Sequence, residues 1–226
     1  ISYRLVGSEM CIRDSYKTPE QVSYRQNIGV IDKAGVNIPE YEVVPPEYVK
    51  PFTEILRKEG YYCANNFKCD YQFNAPFTAW DEVSSSVSFR DAPKDKPFFY
   101  VWNTLITHES RIWERSNEPL TVDPDEVIIP DYFPDIPEVR MDIARKYSNI
   151  EAMDKQVGEL ISQLESDGLL EKTIIMFWSD HGGNLLRQKR AVGNSGLHVP
   201  LIVRYPGKLK AGTVENRIVS LMDLGP

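Results

Sequence analysis

The chain is short of the residues on which several protein classes depend. It holds three cysteines and three histidines in 226 residues. It has no excess of basic charge and no long apolar run. Lys and Arg number 26 against 33 Asp and Glu, a formal net charge of −7. A nucleic-acid binder normally presents a basic face, so the balance argues against that class. No apolar stretch approaches the roughly 18 residues that a membrane span requires, and none is expected to cross a bilayer. Cys11, Cys63 and Cys69 are too few for a disulfide framework in a chain of this length. Cys63 and Cys69 have neither a second cysteine pair nor a His-x-x-x-His partner, which argues against a zinc knuckle.

What is present is a substantial core. Hydrophobic residues make up 42% of the chain and aromatics 11%, enough to bury one large domain or part of a bigger one. The first fifteen residues, ISYRLVGSEMCIRDS, lack periodicity and resemble translated adaptor read-through of the kind found at the ends of metagenomic sequences. Residues 1–15 are therefore expected to be non-native. The chain opens on Ile1 and closes on Leu224-Gly225-Pro226, and both ends read as cut.

Residues 45–60 carry apolar positions at Val49, Phe52, Ile55 and Leu56, with Gly60 as a stop, which predicts a short amphipathic helix. Tyr61 to Ala64 reads as a strand, and the serine-rich stretch from Gln72 to Lys96 as surface loop. Pro97 to Leu105 is a continuous aromatic and β-branched run, predicting a strand buried on both faces. A loop follows, punctuated by Pro119, Pro124, Pro130, Pro134 and Pro137. Arg140 to Leu169 predicts the longest helix, with Ile143, Tyr147, Ile150, Val157, Leu160, Ile161 and Leu164 on one stripe and Asp167-Gly168 ending it. Buried strands are expected at Thr173 to Trp178 and His198 to Arg204. Strand, long helix and further strands in alternation predict an α/β fold with a mainly parallel sheet.

In such sheets ligands sit beyond the carboxyl ends of the strands. His108 follows one predicted strand and Asp180-His181 follows another, in MFWSDHGGNLLRQKR. Asp180 offers a hard oxygen and His181 an imidazole, and Gly182-Gly183 would let the chain turn sharply enough for both to face one ion. Two ligands do not complete a site, because calcium takes six to eight oxygens. Lys68, Lys189 and His108 are candidates to hold a tetrahedral oxyanion, which needs donors converging from several directions. His198 opens a strand and reads as structural.

Together these motifs resemble the sulfatase family of the alkaline-phosphatase-like superfamily. FWSDHGGNLLRQKR followed by NSGLHVPLIVRYPG is similar to the family's strand ending in Ser-Asp-His/Asn-Gly, the basic residue about eight positions on, and the Gly-x-x-Val-Pro opening of the next strand. The helix YSNIEAMDKQVGELISQLESDG looks like the one leading into that strand, and ITHES like the segment of the active-site histidine. GYYCANNFKCDY is similar to Gly-Tyr-x-Thr…Gly-Lys-x-His. The resemblance covers most of Tyr41 to Pro226.

The resemblance implies an α/β/α sandwich around a mainly parallel sheet, truncated, with residues 16–226 as a partial catalytic domain. It implies that Asp180 and His181 bind one divalent cation, usually Ca2+. Lys68 and Lys189 would contact the sulfate, and His108 would contact the ester oxygen and protonate the leaving alcohol. Asp70 stands where many relatives carry a histidine that helps hold the substrate. The family's nucleophile motif, Cys-x-Pro-Ser-Arg, whose cysteine becomes formylglycine, does not occur in this sequence, nor do the paired aspartates that complete the metal site. Both are expected upstream, in a missing N-terminal region. The parent enzyme would then hydrolyse sulfate esters of a sulfated small molecule or sulfated glycan, in the periplasm or outside the cell, and the fragment would be inactive. A phosphoesterase or phosphotransferase of the same superfamily, and a non-catalytic homologue that binds sulfated glycans, are the alternatives.

Overall fold

The computed structural model describes residues 46, 48–69, 73 and 75–225, and the backbone of the strands β1 (Gly29–Ile31) and β2 (Asn37–Pro39). Residues 1–15 lie outside the described residues. β1 and β2 form an antiparallel pair in which Val30 faces Ile38. The chain divides into two compact units, one built on residues up to Asn103 and from Asn216, the other on Thr104–Glu215.

In the first unit the helix α1 (Phe52–Lys58) is shorter than its apolar spacing predicts. Pro51 is the reason: it is extended, with φ −57 and ψ 134, and proline also disfavours helix in the residue before it. Gly60 ends the turn at φ 93, as a C-terminal stop requires. Strand β3 (Tyr62–Asn66) is the centre of a three-stranded sheet. It pairs in parallel with β4 (Glu82–Ser84) on one side and β5 (Phe98–Val101) on the other.

The stretch 72–96 is more than surface loop, which corrects the sequence expectation. It supplies β4, and it buries Ala79, Val87 and Phe89. The Phe89 ring lies 5.5 Å from Phe98 and 6.3 Å from Tyr100, and burial of such a side chain contributes about 1.5–3 kcal/mol. β5 stops at Val101 and all four of its residues are half-buried, so it is not covered on both faces as its composition suggests. Asp81 locks the edge: its Oδ2 accepts from the Cys63 amide at 2.8 Å and its Oδ1 from Arg57 Nη2 at 2.9 Å.

The second unit is organised by α3 (Pro137–Ser166), which begins at the proline, a residue suited to the first helical turn. It ends at Asp167 and Gly168, the latter at φ 68, as the sequence predicts. Its buried face is not the predicted apolar stripe over the first half. Ile143 is buried, but Tyr147 and Ile150 are exposed, while Arg145, Ser148 and Asn149 are buried instead. The proline-rich loop explains this inversion. Its backbone groups need partners, and a buried polar group must be hydrogen-bonded. Arg145 donates to the carbonyls of Ser116, Glu118 and Pro119, and Ser148 Oγ accepts from the amides of Thr121 and Val122. Val127 of the same loop packs with Ile143 and Ala144 as an apolar cluster.

β6 (Ile175–Trp178) and β7 (Leu201–Arg204) pair antiparallel, Trp178 opposite Leu201. Parallel pairing needs a crossover of a dozen or more residues, usually helical. The connection here holds one four-residue helix, α4 (Asn194–Leu197), so the chain returns in the opposite sense. Neither strand is fully buried: Met176 and Trp178 alternate as exposed with half-buried Ile175 and Phe177. Among the described residues no helix is long and apolar enough to cross a membrane.

Candidate active site

Strand β6 delivers Asp180 and His181 onto the loop that follows it. The imidazole Nδ1 lies 2.7 Å from the Gly182 carbonyl, so Nδ1 carries the proton and donates it there. Nε2 lies 3.4 Å from Asp180 Oδ2. Two electron-rich atoms so close repel unless a proton or a metal cation sits between them. A ligating histidine characteristically fixes its tautomer by donating its other N–H to a carbonyl, and His181 does this. One carboxylate and one imidazole fit a divalent cation, although an imidazole donor favours a transition metal over calcium. Among the described residues no group of three or more His, Cys, Asp and Glu gathers, so these residues by themselves do not make up a metal site.

The chain bends sharply through Asp180–Gly182, with no positive φ at Gly182 or Gly183. Space is what demands glycine. A Cβ on Gly182 would come within 1.9 Å of the Ser195 carbonyl oxygen, beside the hydrogen bond from Gly182 N to Gly196 O at 2.8 Å. A Cβ on Gly183 would meet Gln188 Oε1 and Lys146 Nζ. Lys146 of α3 donates to Gln188 at 2.9 Å, and burial pulls its amine below the ordinary lysine range.

His108 and Lys189 are brought together. Lys189 Nζ lies 3.4 Å from His108 Nε2, although 81 residues separate them. The His108 turn starts from Thr104, whose Oγ1 is 2.8 Å from Gln156 of α3, and it leads into the helix α2 (Arg111–Glu114). Ser110 faces Nδ1 of His108 with its hydroxyl at 3.1 Å and its amide at 3.3 Å. The Lys189 backbone is fixed by its amide, which donates to the Gly183 carbonyl at 2.8 Å. Asn184 ties the two loops by donating to the Thr107 carbonyl at 3.3 Å.

Glu109 and Arg190 were not singled out from the sequence. Glu109 accepts two hydrogen bonds from Arg190, at 2.7 and 2.9 Å, and lies 3.4 Å from Lys189 Nζ. The Arg190 hydrogen bonds, aided by the Lys189 charge, hold its carboxyl down at about 2. Only their adjacency to His108 and Lys189 could have marked them.

Lys68 belongs to the first unit and is described there. Asn65, fully buried, donates to the Lys68 carbonyl at 2.9 Å, and Asn66 exchanges hydrogen bonds with the backbone of Asn103 at 2.6 and 3.0 Å. Phe67 holds φ 26, a region that favours glycine, and it stands where the quoted family motif has Gly before Lys. Asp70 lies outside the described residues. His198 caps α4 through its backbone and is exposed.

A family model described as Sulfatase matches residues 65–226. An ulvan-active sulfatase of Formosa agariphila is 41% identical over 224 residues, covering 84% of this chain and 38% of that protein. Human N-sulphoglucosamine sulphohydrolase is 34% identical over 109 residues, covering 48% of this chain and 22% of that protein. The chain thus spans well under half the length of these relatives. A solved Bacteroides thetaiotaomicron structure, from work on the metabolism of multiple glycosaminoglycans, superposes with a TM-score of 0.59 over 81% of this chain and 52% of that one. At 14% identity that likeness speaks for the fold alone.

Proposed function

The chain belongs to the sulfatase family and has its alkaline-phosphatase-like α/β fold, and from that premise we propose that it forms part of an enzyme hydrolysing sulfate esters of a sulfated polysaccharide. The observation that carries the reading is the approach of Lys189 Nζ to His108 Nε2 across two loops. An ammonium and an imidazole that meet there suit the two ends of a sulfate ester. The ammonium neutralises charge on the sulfuryl oxygens, and the imidazole hands a proton to the departing alkoxide. Lys68 is a second sulfate contact by family resemblance, and Asp70 a substrate-side residue that orients rather than donates when ionised.

Asp180 and His181 are the chain's contribution to a divalent cation site, calcium by family habit. When present, the cation gathers charge from the sulfate, and the formylglycine expected from the Cys-x-Pro-Ser-Arg motif supplies the nucleophile. Sequence 16–226 contains no such motif, so this chain by itself is expected to bind sulfated ligands without turning them over. The likeness to an ulvan-active sulfatase supports a glycan rather than a small aryl sulfate as substrate, and the family supports export to the periplasm or beyond.

The test is sulfate release, followed by ion chromatography, from ulvan oligosaccharides incubated with the full-length gene product. Release that disappears in His108→Ala and Lys189→Ala supports the reading. Phosphate release from phosphomonoesters without sulfate release would replace it with phosphoester hydrolysis. Glycan binding with no release of either would make the protein a lectin-like homologue.

A further inference from the structure

Glu109 has no role in the reading above, yet it touches both loops of the site. Its two carboxylate oxygens take the guanidinium fork of Arg190, Nη2 to Oε1 at 2.7 Å and Nη1 to Oε2 at 2.9 Å. The same Oε1 lies 3.4 Å from Lys189 Nζ. Fork-to-carboxylate pairing is the most directional ion pair available to side chains. Here it joins positions 81 residues apart, so it fixes one loop against the other.

The backbone around Lys189 needs such a fixture. Arg187 and Arg190 both hold left-handed conformations, φ 64 and φ 68, which residues with a Cβ adopt at a cost. Lys189 thus sits between two residues that propensity alone would relax. A strained conformation persists only where its surroundings over-determine it. At Arg190 the bidentate pair with Glu109 does so.

We infer that Glu109 is a positioning residue, which with Arg190 clasps the loop of Lys189 to the loop of His108 and so presets the sulfate-binding ammonium beside the imidazole. The inference rests on the sulfatase reading of Lys189 and His108. The charges are consistent with it. Glu109 and Arg190 cancel, leaving the Lys189 charge for an anion. The 3.4 Å separation from Glu109 is longer than the 2.7–2.9 Å of a full charge-assisted bond. The ammonium is therefore oriented without being consumed, and an incoming sulfate can take its protons.

A purely electrostatic role predicts the opposite outcome. Removing the Glu109 charge would raise the local positive charge and tighten anion binding. Loss of positioning instead lowers the chemical rate. The experiment compares Glu109→Gln and Arg190→Ala with the parent in the full-length gene product, by steady-state sulfate release from a size-fractionated ulvan oligosaccharide and by amide deuterium exchange across 185–191. Arg190 is 69% exposed, so its truncation leaves the fold intact and keeps the question open to test even if Glu109→Gln misfolds.

The expected result is a roughly ten- to hundredfold fall in kcat/KM in either variant, carried by kcat, with faster exchange in the loop. The double variant should be little worse than either single one, because both remove the same clasp. Unchanged exchange in both variants overturns the inference. So does accelerated exchange with kcat within twofold of the parent, or a fall in KM at constant kcat. A parent that releases no sulfate overturns the sulfatase reading and the catalytic part of the inference with it, while the exchange measurement still decides whether Glu109 holds the loop.

Discussion

His181 donates its Nδ1 proton to the Gly182 carbonyl at 2.7 Å and thereby leaves Nε2 facing the Asp180 carboxylate at 3.4 Å. A backbone hydrogen bond thus fixes which nitrogen donates to the main chain and leaves the other beside the carboxylate, an arrangement that would suit a shared cation. Adjacent residues on an extended strand would point to opposite faces. The two meet here because the chain leaves β6 at Trp178 and packs Gly182 against the Ser195–Gly196 backbone.

In the full-length gene product a divalent cation should therefore bind with this pair among its ligands, and Asp180→Asn or His181→Ala should weaken it by at least roughly ten- to hundredfold. Calorimetric titration with Ca2+ and with Mn2+ measures this directly. Affinities indistinguishable from the parent in both variants would rule the pair out as ligands.

Loss of His108 should depend on the leaving group. For alkyl sulfates, whose alkoxide needs a proton, His108→Ala should cost about 10²–10⁴ in rate. Aryl sulfates with acidic phenols should lose far less. Equal losses across a series of leaving groups would show that His108 binds substrate without acting as the acid.

Phe67 provides a test in stability. At φ 26 any Cβ is strained, so Phe67→Gly should be more stable than Phe67→Ala by about 1 kcal/mol. At an ordinary helix or strand position the order would be reversed. Urea unfolding of the two variants gives the sign, and an alanine variant as stable as the glycine one would refute the strain.

Glu109 makes a pH prediction. Its carboxyl falls from an ordinary 4.5 to about 2, chiefly through the Arg190 hydrogen bonds. A below-normal pKa in the folded state means that the ionised form is favoured by folding. The stabilisation is present above pH about 4.5 and disappears as the pH falls toward 2. Glu109→Gln should flatten the acid limb of the stability profile over that interval and leave its neutral arm parallel to the parent's. An unchanged acid limb would contradict the pairing.

Cys63 and Cys69 should differ in reactivity. Burial, with the Asp81 charge adding to it, pushes the Cys63 thiol up to about 12, while Cys69 is exposed. At pH 8 roughly one Cys63 in ten thousand is thiolate. Iodoacetamide should label Cys69 in the folded protein and reach Cys63 only after denaturation, as peptide mapping would report. Rapid native labelling of Cys63 would mean that β3 is not closed over it.

The sequence misled most where polar chemistry replaced apolar packing. The apolar spacing of α3 correctly foretold a helix and its end at Gly168, but Arg145, Ser148 and Asn149 took the buried face ahead of Tyr147 and Ile150. Periodicity registers which residues prefer to leave water. It does not register that the backbone of residues 116–122 would need hydrogen-bond partners. Residues 72–96 failed for a related reason, since serine-rich composition hid the three-residue strand β4 and the Phe89 anchor.

By itself the sequence determined the α/β class and, through its motifs, the family; it nominated Asp180, His181 and His108 because strand-end chemistry is local, and Lys189 through the family resemblance. Tertiary structure alone decided that Lys189 meets His108, that the close approach of the Ser195 backbone demands glycine at 182, and that Glu109 and Arg190 join two loops. Those facts depend on contacts between residues as much as 81 positions apart, and no local pattern of residue types encodes which distant backbone a side chain will find.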